Sequence, residues 1–249
     1  MTVRFEPHGH DLPGFWGDTS SSIDWCERNF VVSFYIAEFF NAFSSLTLCV
    51  TGGYIWYQAW RDSLELRFYA LGMSVVVVGL GSAAFHGTLQ FWGQMWDELP
   101  MVWSMLVCFY CHFTIDHPGS WTIALALFAY GGLWAVVHVH GAFTTAFQLH
   151  FVLMVLNSFY LLRSATRYYA RQAYQRLRLM GLLDMWFVLV AVCFWLCDQF
   201  ACSHLHNLPG GVPNPQLHAV WHLLTAASSH FGCQFLLVLR QSVKDNAPP

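Results

Sequence analysis

His218 and His222 stand four residues apart in an apolar run. On a helix that spacing puts both imidazoles on one face. A third imidazole at similar depth on another helix would complete a three-nitrogen set with an open fourth position, the arrangement of a catalytic zinc site. His86 can supply it. Ser82 lies one turn before His86 and points the same way, and Asp97 returns to the same rim after a short loop, Gly87–Trp96. The chemistry such a set could do is hydrolysis. Zinc lowers the pKa of a coordinated water toward about 7. A nearby carboxylate can take the proton and pass it to a leaving group. A serine hydroxyl can donate to the oxyanion of a tetrahedral intermediate. Each residue also has a plainer reading. A single histidine is more often a structural hydrogen-bonding group. Asp97 could be an acid favoured by a helix dipole. Ser82, with Gly79 and Ala83, could simply let two helices approach. Haem ligation needs one histidine on each of two facing helices, which an i, i+4 pair does not offer.

The elements that must position these residues are membrane helices. Of 249 residues, 56% are hydrophobic and only 10% charged, whereas a soluble domain carries about 25% charged residues. That deficit excludes an ordinary soluble enzyme and a disordered chain. A net charge of −3 offers no basic surface for nucleic acid. Twelve Trp, 10 Tyr and 22 Phe suit interfacial aromatic belts. The pattern predicts an all-α, seven-transmembrane helix bundle with spans at 33–57, 68–87, 98–115, 120–139, 142–162, 180–201 and 217–239, each near the length that crosses a bilayer. The third span begins at Leu99-Pro100, with proline in its first turn. The fourth and fifth, split only by His140-Gly141, form a tight hairpin or one broken element. The chain reads as a single domain over 1–249: an acidic lumenal segment 1–32, a bundle 33–240 and a cytoplasmic tail 241–249. The first 30 residues contain no apolar core of a cleavable signal, so the first span acts as an uncleaved one.

Positive charge sets the orientation. With the N-terminus outside, the inner segments carry Arg61, Arg67, Arg163, Arg167, Arg171, Arg176, Arg178, Arg240 and Lys244, and the outer side only Arg4 and Arg28. That bias predicts N-terminus out (lumenal) and C-terminus in. It also brings Glu38, Ser82, His86, Asp97, Asp198, His218 and His222 to the outer end of the bundle, although the charge count takes no account of histidines. Convergence at one depth favours the metal reading over the plainer ones, because ionisable groups in a span are costly. The remaining histidines read as peripheral or structural: His138 and His140 near the outer rim, His112 and His117 near the inner end, His150 paired within the bundle. Of eight cysteines, six fall in apolar runs as small core residues, whereas Cys26 and Cys202 lie outside or at the rim.

Asp24, Trp25, Glu27 and Asn29 fall within six residues, and Glu38 follows at the start of the first span. Carboxylates, an amide and a main-chain carbonyl are the hard oxygen ligands of calcium. The spacing is not that of an EF-hand. A helix-capping cluster would explain Asp24 and Glu27 but leaves Glu38 near the membrane without compensation.

Several stretches resemble the alkaline ceramidases. T-S-S-S-I-D-W-C-E-R-N-F at Thr19–Phe30 and A-E-F-F-N-A-F-S-S at Ala37–Ser45 are similar to that family's N-terminal signature and first helix. G-S-A-A-F-H-G-T-L at Gly81–Leu89, D-E-L-P at Asp97–Pro100 and Q-L-H-A-V-W-H at Gln216–His222 resemble its second-, third- and seventh-helix motifs. The resemblance implies a zinc-dependent intramembrane amidase, multi-pass in the endoplasmic reticulum and/or Golgi membrane, that hydrolyses ceramide, dihydroceramide or phytoceramide to sphingoid base and fatty acid. It implies His86, His218 and His222 as zinc ligands and Ser82 and Asp97 as catalytic partners. It implies Asp24, Trp25 through its carbonyl, Glu27, Asn29 and Glu38 as a calcium site, and Cys26 with Cys202 as a lumenal disulfide pair. The expected partners are ceramide and membrane lipids, with no nucleic acid and no obligate protein partner. The alternative is a lipid-responsive receptor of the wider superfamily that also holds adiponectin and progestin-type receptors. The outward N-terminus argues against the adiponectin-receptor type. A transporter ranks third, because the chain shows neither internal repeats nor broken midplane helices.

Overall fold

A computed structural model of the chain describes residues 12–141, 144–169 and 173–245. The first eleven residues of the acidic segment, with Arg4 of the outer side, the inner Arg171 and the last four residues of the tail lie outside these. Among the described residues the fold is all-α, with seven long helices: α1 (Phe39–Arg61), α2 (Leu66–Thr88), α3 (Phe91–Phe113), α4 (Trp121–Gly141), α5 (Thr144–Tyr169), α6 (Tyr174–Phe200) and α8 (Leu217–Asp245). A one-turn helix α7 (Cys202–Leu205) and a 3₁₀ turn at Pro209–Gly211 link α6 to α8. Five of the helices, α2, α4, α5, α6 and α8, are long and apolar enough to cross a membrane. The chain is a multi-pass membrane-helix bundle. Its surface agrees: Trp121, Leu125, Phe128 and Leu133 of α4 are all more than 60% exposed, which lipid tolerates and water does not. Asn41, Ser44 and Ser45 of α1, and Gln94, Asp97 and Glu98 of α3, make those two helices more polar at one end.

Close crossings fix the α1–α2–α3 layer. A Cβ on Gly52 would stand 2.5 Å from the Gly72 carbonyl oxygen, and one on Gly72 would stand 2.8 Å from that of Gly52, so these backbones touch, as small residues allow in membrane helices. The main apolar core lies at the end away from the histidines, built on Ile55, Phe68, Leu71, Leu177, Phe235 and Leu236. A smaller one, with Ile23, Trp25, Phe30, Phe85 and Leu89, seats the N-terminal segment on the bundle.

Several expectations are corrected. α1 begins at Phe39, not at residue 33, and Glu38 precedes the helix in an extended conformation. The reason is competition for backbone groups: the N–H groups of Ala37 and Glu38 donate to the carbonyls of Gly87 and His86, so this stretch pairs with the end of α2. α3 begins at Phe91, not near Leu99, so Asp97 sits in its second turn and Pro100 lies inside the helix. Proline has no N–H to offer the carbonyl four residues back. That carbonyl, on Trp96, lies 1.7 Å from where a Cβ of Gly81 would be. α4 and α5 are separate helices, joined through residues 142–143, which lie outside those described. Cys193 and Cys197 are exposed on the outer face of α6 rather than in the core.

Candidate metal centre

Three elements bring the histidines together. His86 closes α2, and His218 and His222 open α8 on one face. Their ring centroids are 5.0, 4.9 and 4.7 Å apart pairwise, and one ligand atom from each lies within 4.8 Å of the others. All three are buried. His86 Nε2 and His218 Nδ1 are buried without a hydrogen-bond partner. Leaving such groups unsatisfied is costly, and three convergent imidazole nitrogens fit a divalent transition ion, zinc above all.

The opposite ring nitrogens are held. His86 Nδ1 bonds Glu38 Oε2. His222 Nδ1 meets Ser44 Oγ at 2.8 Å, and the Ser44 hydroxyl donates to the Asn41 carbonyl at 3.0 Å. This order makes Nδ1 the protonated nitrogen in both rings and leaves Nε2 as a lone pair. Metal-binding histidines are ordinarily oriented in this way. His218 is fixed differently. Its ring stacks on Trp25 at 3.8 Å, and its backbone N–H donates to Asp198 Oδ1 at 3.2 Å. Asp198 Oδ2 accepts the N–H of Cys26 at 3.1 Å, so one carboxylate ties α6, α8 and the N-terminal segment together.

Ser82 of α2 and Asp97 of α3 lie close enough across the helix contact to interact. Ser45 Oγ of α1 lies 3.0 Å from Ser82 Oγ and 3.4 Å from His222 Nδ1, which links the serine to the histidine set. An apolar cleft of about 390 Å³, with Val77, Met95, Trp96, Leu99 and Trp103 in its wall, runs between α2 and α3.

The N-terminal segment covers this end. Leu89, in a left-handed conformation (φ 51°) at the end of α2, accepts the N–H groups of Ser20 and Ser21. The sulfurs of Cys26 and Cys202 stand at bonding distance. Asn214 Nδ2 donates to the Cys26 carbonyl at 2.9 Å. Glu27 caps α1, accepting the N–H groups of Phe40 and Asn41 at 2.8 and 2.9 Å. Burial pushes the Glu27 carboxyl up to about 7; Glu38 and Asp198 add to the rise and the two N–H bonds oppose it. Asp24 accepts from Asn29 Nδ2 at 3.2 Å. Glu38 Oε1 accepts the Trp25 N–H at 3.0 Å, and Oε2 accepts from Asn41 Nδ2 at 3.0 Å. Asp24, Glu27, Asn29 and Glu38 thus share one neighbourhood, with Glu38 as the link to His86.

The sequence reading missed Ser44, Ser45, Asn41 and the contact of Glu38 with His86; small polar residues in a span give no signal of which face they occupy. His138 was expected at the periphery, but it is buried and bonds Glu98, the neighbour of Asp97. Gln94 Nε2 donates to the same carboxylate at 3.0 Å and its Oε1 accepts the Ser22 N–H at 2.8 Å. A second polar chain therefore holds α3 against α4 and the N-terminal segment.

Fold and site together define a helical membrane protein built round a buried three-histidine centre at one end of its bundle. A family model described as Ceramidase matches residues 17–248. Alkaline ceramidase 3 of Mus musculus is 33% identical over 92% of this chain and 88% of its own length. The alkaline ceramidase of Arabidopsis thaliana is 31% identical over the same shares, and that of Drosophila melanogaster 28% over 82% and 72%. The chain belongs to the alkaline ceramidase family.

Proposed function

We propose that this protein is a zinc-dependent membrane amidase that hydrolyses the N-acyl bond of a ceramide, giving a sphingoid base and a fatty acid. The observation that carries the proposal is the buried triangle of His86, His218 and His222 with the Ser82–Asp97 pair one turn away. The three histidines would hold the zinc. When bound, the metal supplies a Lewis acid that activates water and polarises the amide carbonyl. The chain's own residues do the rest. Asp97 takes the proton of the attacking water and returns it to the departing amine nitrogen. Ser82 Oγ–H donates to the developing oxyanion, and Ser45 Oγ holds the Ser82 oxygen in place. Glu38 and Ser44 keep the ligand nitrogens aimed. One aliphatic chain of the substrate lies in the apolar cleft between α2 and α3.

The proposal extends to the surroundings. All seven long helices span the membrane, with the site end and the N-terminus lumenal, in the endoplasmic reticulum or Golgi. Asp24, the Trp25 carbonyl, Glu27, Asn29 and Glu38 hold calcium. The crowding of Glu27, Glu38 and Asp198, which helps to raise the Glu27 carboxyl, supports a cation there, because buried like charges repel. Purified protein in detergent, given a defined ceramide, should release sphingoid base and fatty acid in equal amounts. A folded, zinc-loaded preparation that releases neither would overturn the reading.

A further inference from the structure

The stretch from the end of α5 into the start of α6 is unlike the rest of the chain in charge. From residue 117 to residue 183 there is no Asp or Glu, yet Arg163, Arg167, Arg171, Arg176 and Arg178 all fall there. Among the described residues Arg163 and Arg167 form no ion pair, whereas Arg61 pairs with Asp62, and Arg67 and Arg240 with Glu65. Helix orientation needs only that positive charge be present on this side; it does not require the charges to share one face.

They do share one. Leu149, Leu153, Leu156, Tyr160, Arg163 and Arg167 follow one another at spacings of four, three, four, three and four, which is a single stripe along a helix. The stripe faces outward. Leu149, Leu153, Leu156 and Tyr160 are 64, 65, 57 and 69% exposed. The opposite side of α5, with Phe147, Met154, Leu162 and Ala165, is the buried one. At the polar end of the stripe a cleft of about 310 Å³ is lined by Tyr160, Arg163, Ser164, Arg167 and Tyr168. Two guanidinium groups with a hydroxyl between them match a phosphate oxygen set. The flanking tyrosines suit the headgroup level of a bilayer.

We propose that this stripe is a binding site for one anionic phospholipid of the inner leaflet, distinct from the substrate site at the other end of the bundle. Its phosphate sits on Arg163, Ser164 and Arg167, and an acyl chain lies along Leu156, Leu153 and Leu149. The length of the apolar stripe commits the occupant to a lipid: a soluble phosphate would use the two arginines and leave three leucines idle. The site rests on the inward placement of this end of α5 and not on ceramide hydrolysis, and the readout below is binding alone.

Native mass spectrometry of the purified protein in detergent tests it. The probes are phosphatidylserine and phosphatidylcholine of the same acyl composition, and inorganic phosphate as competitor. Phosphatidylcholine carries the same phosphate but offsets it with choline, so the net negative charge of phosphatidylserine beside two arginines predicts roughly a thirtyfold preference for phosphatidylserine. The preference should vanish in the double variant Arg163→Gln/Arg167→Gln and persist in Arg61→Gln, whose charge is already paired. Unchanged thermal stability and an unaltered ceramide turnover in the double variant would show that it is folded. Equal retention of the two lipids, or full phosphatidylserine binding by the double variant, overturns the proposal. So does displacement by inorganic phosphate at the lipid's own concentration, which assigns the cleft to a soluble anion. A dimer mass that replaces the lipid adduct gives the stripe to a second copy of the chain and overturns it equally.

Discussion

An imidazole binds an ion through one nitrogen more firmly when the other is committed, and at His86 that commitment is made by Glu38. Glu38→Gln keeps the side-chain volume and should lower zinc affinity about 10–100-fold, read as the chelator concentration that strips the metal. If the role of Glu38 were confined to calcium, excess calcium would restore zinc retention in the variant, and the assignment to His86 would fail. Asp97→Asn should lower kcat by about 10²–10⁴-fold with zinc content unchanged; loss of zinc instead would make Asp97 structural. Far from the site, burial would raise the Glu65 carboxyl, but Arg240, the Glu65 backbone N–H and Arg67 together outweigh it and hold the group below its ordinary range. A depressed folded pKa gives stability that is present above the unfolded value and lost as pH falls through the folded one. The Tm difference between native protein and Glu65→Gln should therefore be present at neutral pH and disappear below the ordinary glutamate range. A difference that stays constant with pH would show that the pair contributes no such linkage. The i, i+4 spacing of His218 and His222, and the polar residues gathered at one depth, made the histidine set legible before any coordinates. The Glu38–His86 bond was not legible. It joins residues 48 apart in sequence and depends on Ala37 and Glu38 pairing with the end of α2, a backbone arrangement that no side-chain pattern announces.

At the scale of elements, α3 shows how a helix boundary can mislead. Pro100 and the charged pair Asp97-Glu98 mimic a helix start, yet the helix begins two turns earlier. The cost of an interior proline is moderated because the orphaned Trp96 carbonyl points at a glycine, where its neighbour's Cα–H can approach. Gly81 is therefore needed for contact between α2 and α3, one residue from Ser82. Gly81→Ala would set a methyl against the Trp96 carbonyl and should cost about 1–3 kcal/mol, with loss of activity even where the protein still folds. A Gly81→Ala protein with native Tm and turnover would show that the two helices can part without consequence. The apolar runs located all seven long helices, although one end of α1, α3, α5, α6 and α8 lies six or seven residues from the boundary read. The start of α1 was lost to the same backbone pairing that hides Glu38, and α7 is too short to show a period.

At the scale of the whole molecule, polar and apolar chemistry are segregated along the bundle. The histidines, the carboxylate cluster and the N-terminal segment occupy one end, and the larger apolar core the other. This layout suits a substrate whose polar head stays near the interface while its chains enter the helices. The N-terminal segment is held to α2, α6 and α8 by backbone bonds, by Asp198 and by the paired cysteines. On the proposal that calcium lies among its carboxylates, it should be the part most sensitive to calcium chelators. Calcium removal should lower Tm and open residues 20–30 to hydrogen exchange, whereas α5 and α6 stay protected. Exchange that is the same with and without calcium would remove the cation from that cluster. The central claim is that three imidazoles hold one zinc that the hydrolysis needs. It is tested most directly by measuring sphingoid-base release from ceramide on purified protein as zinc is withdrawn and restored. Activity should rise and fall with bound zinc, reaching its maximum at one ion per chain, and His218→Ala should neither bind zinc nor turn over. Full turnover by metal-free protein, or by a folded His218→Ala variant, would contradict the account.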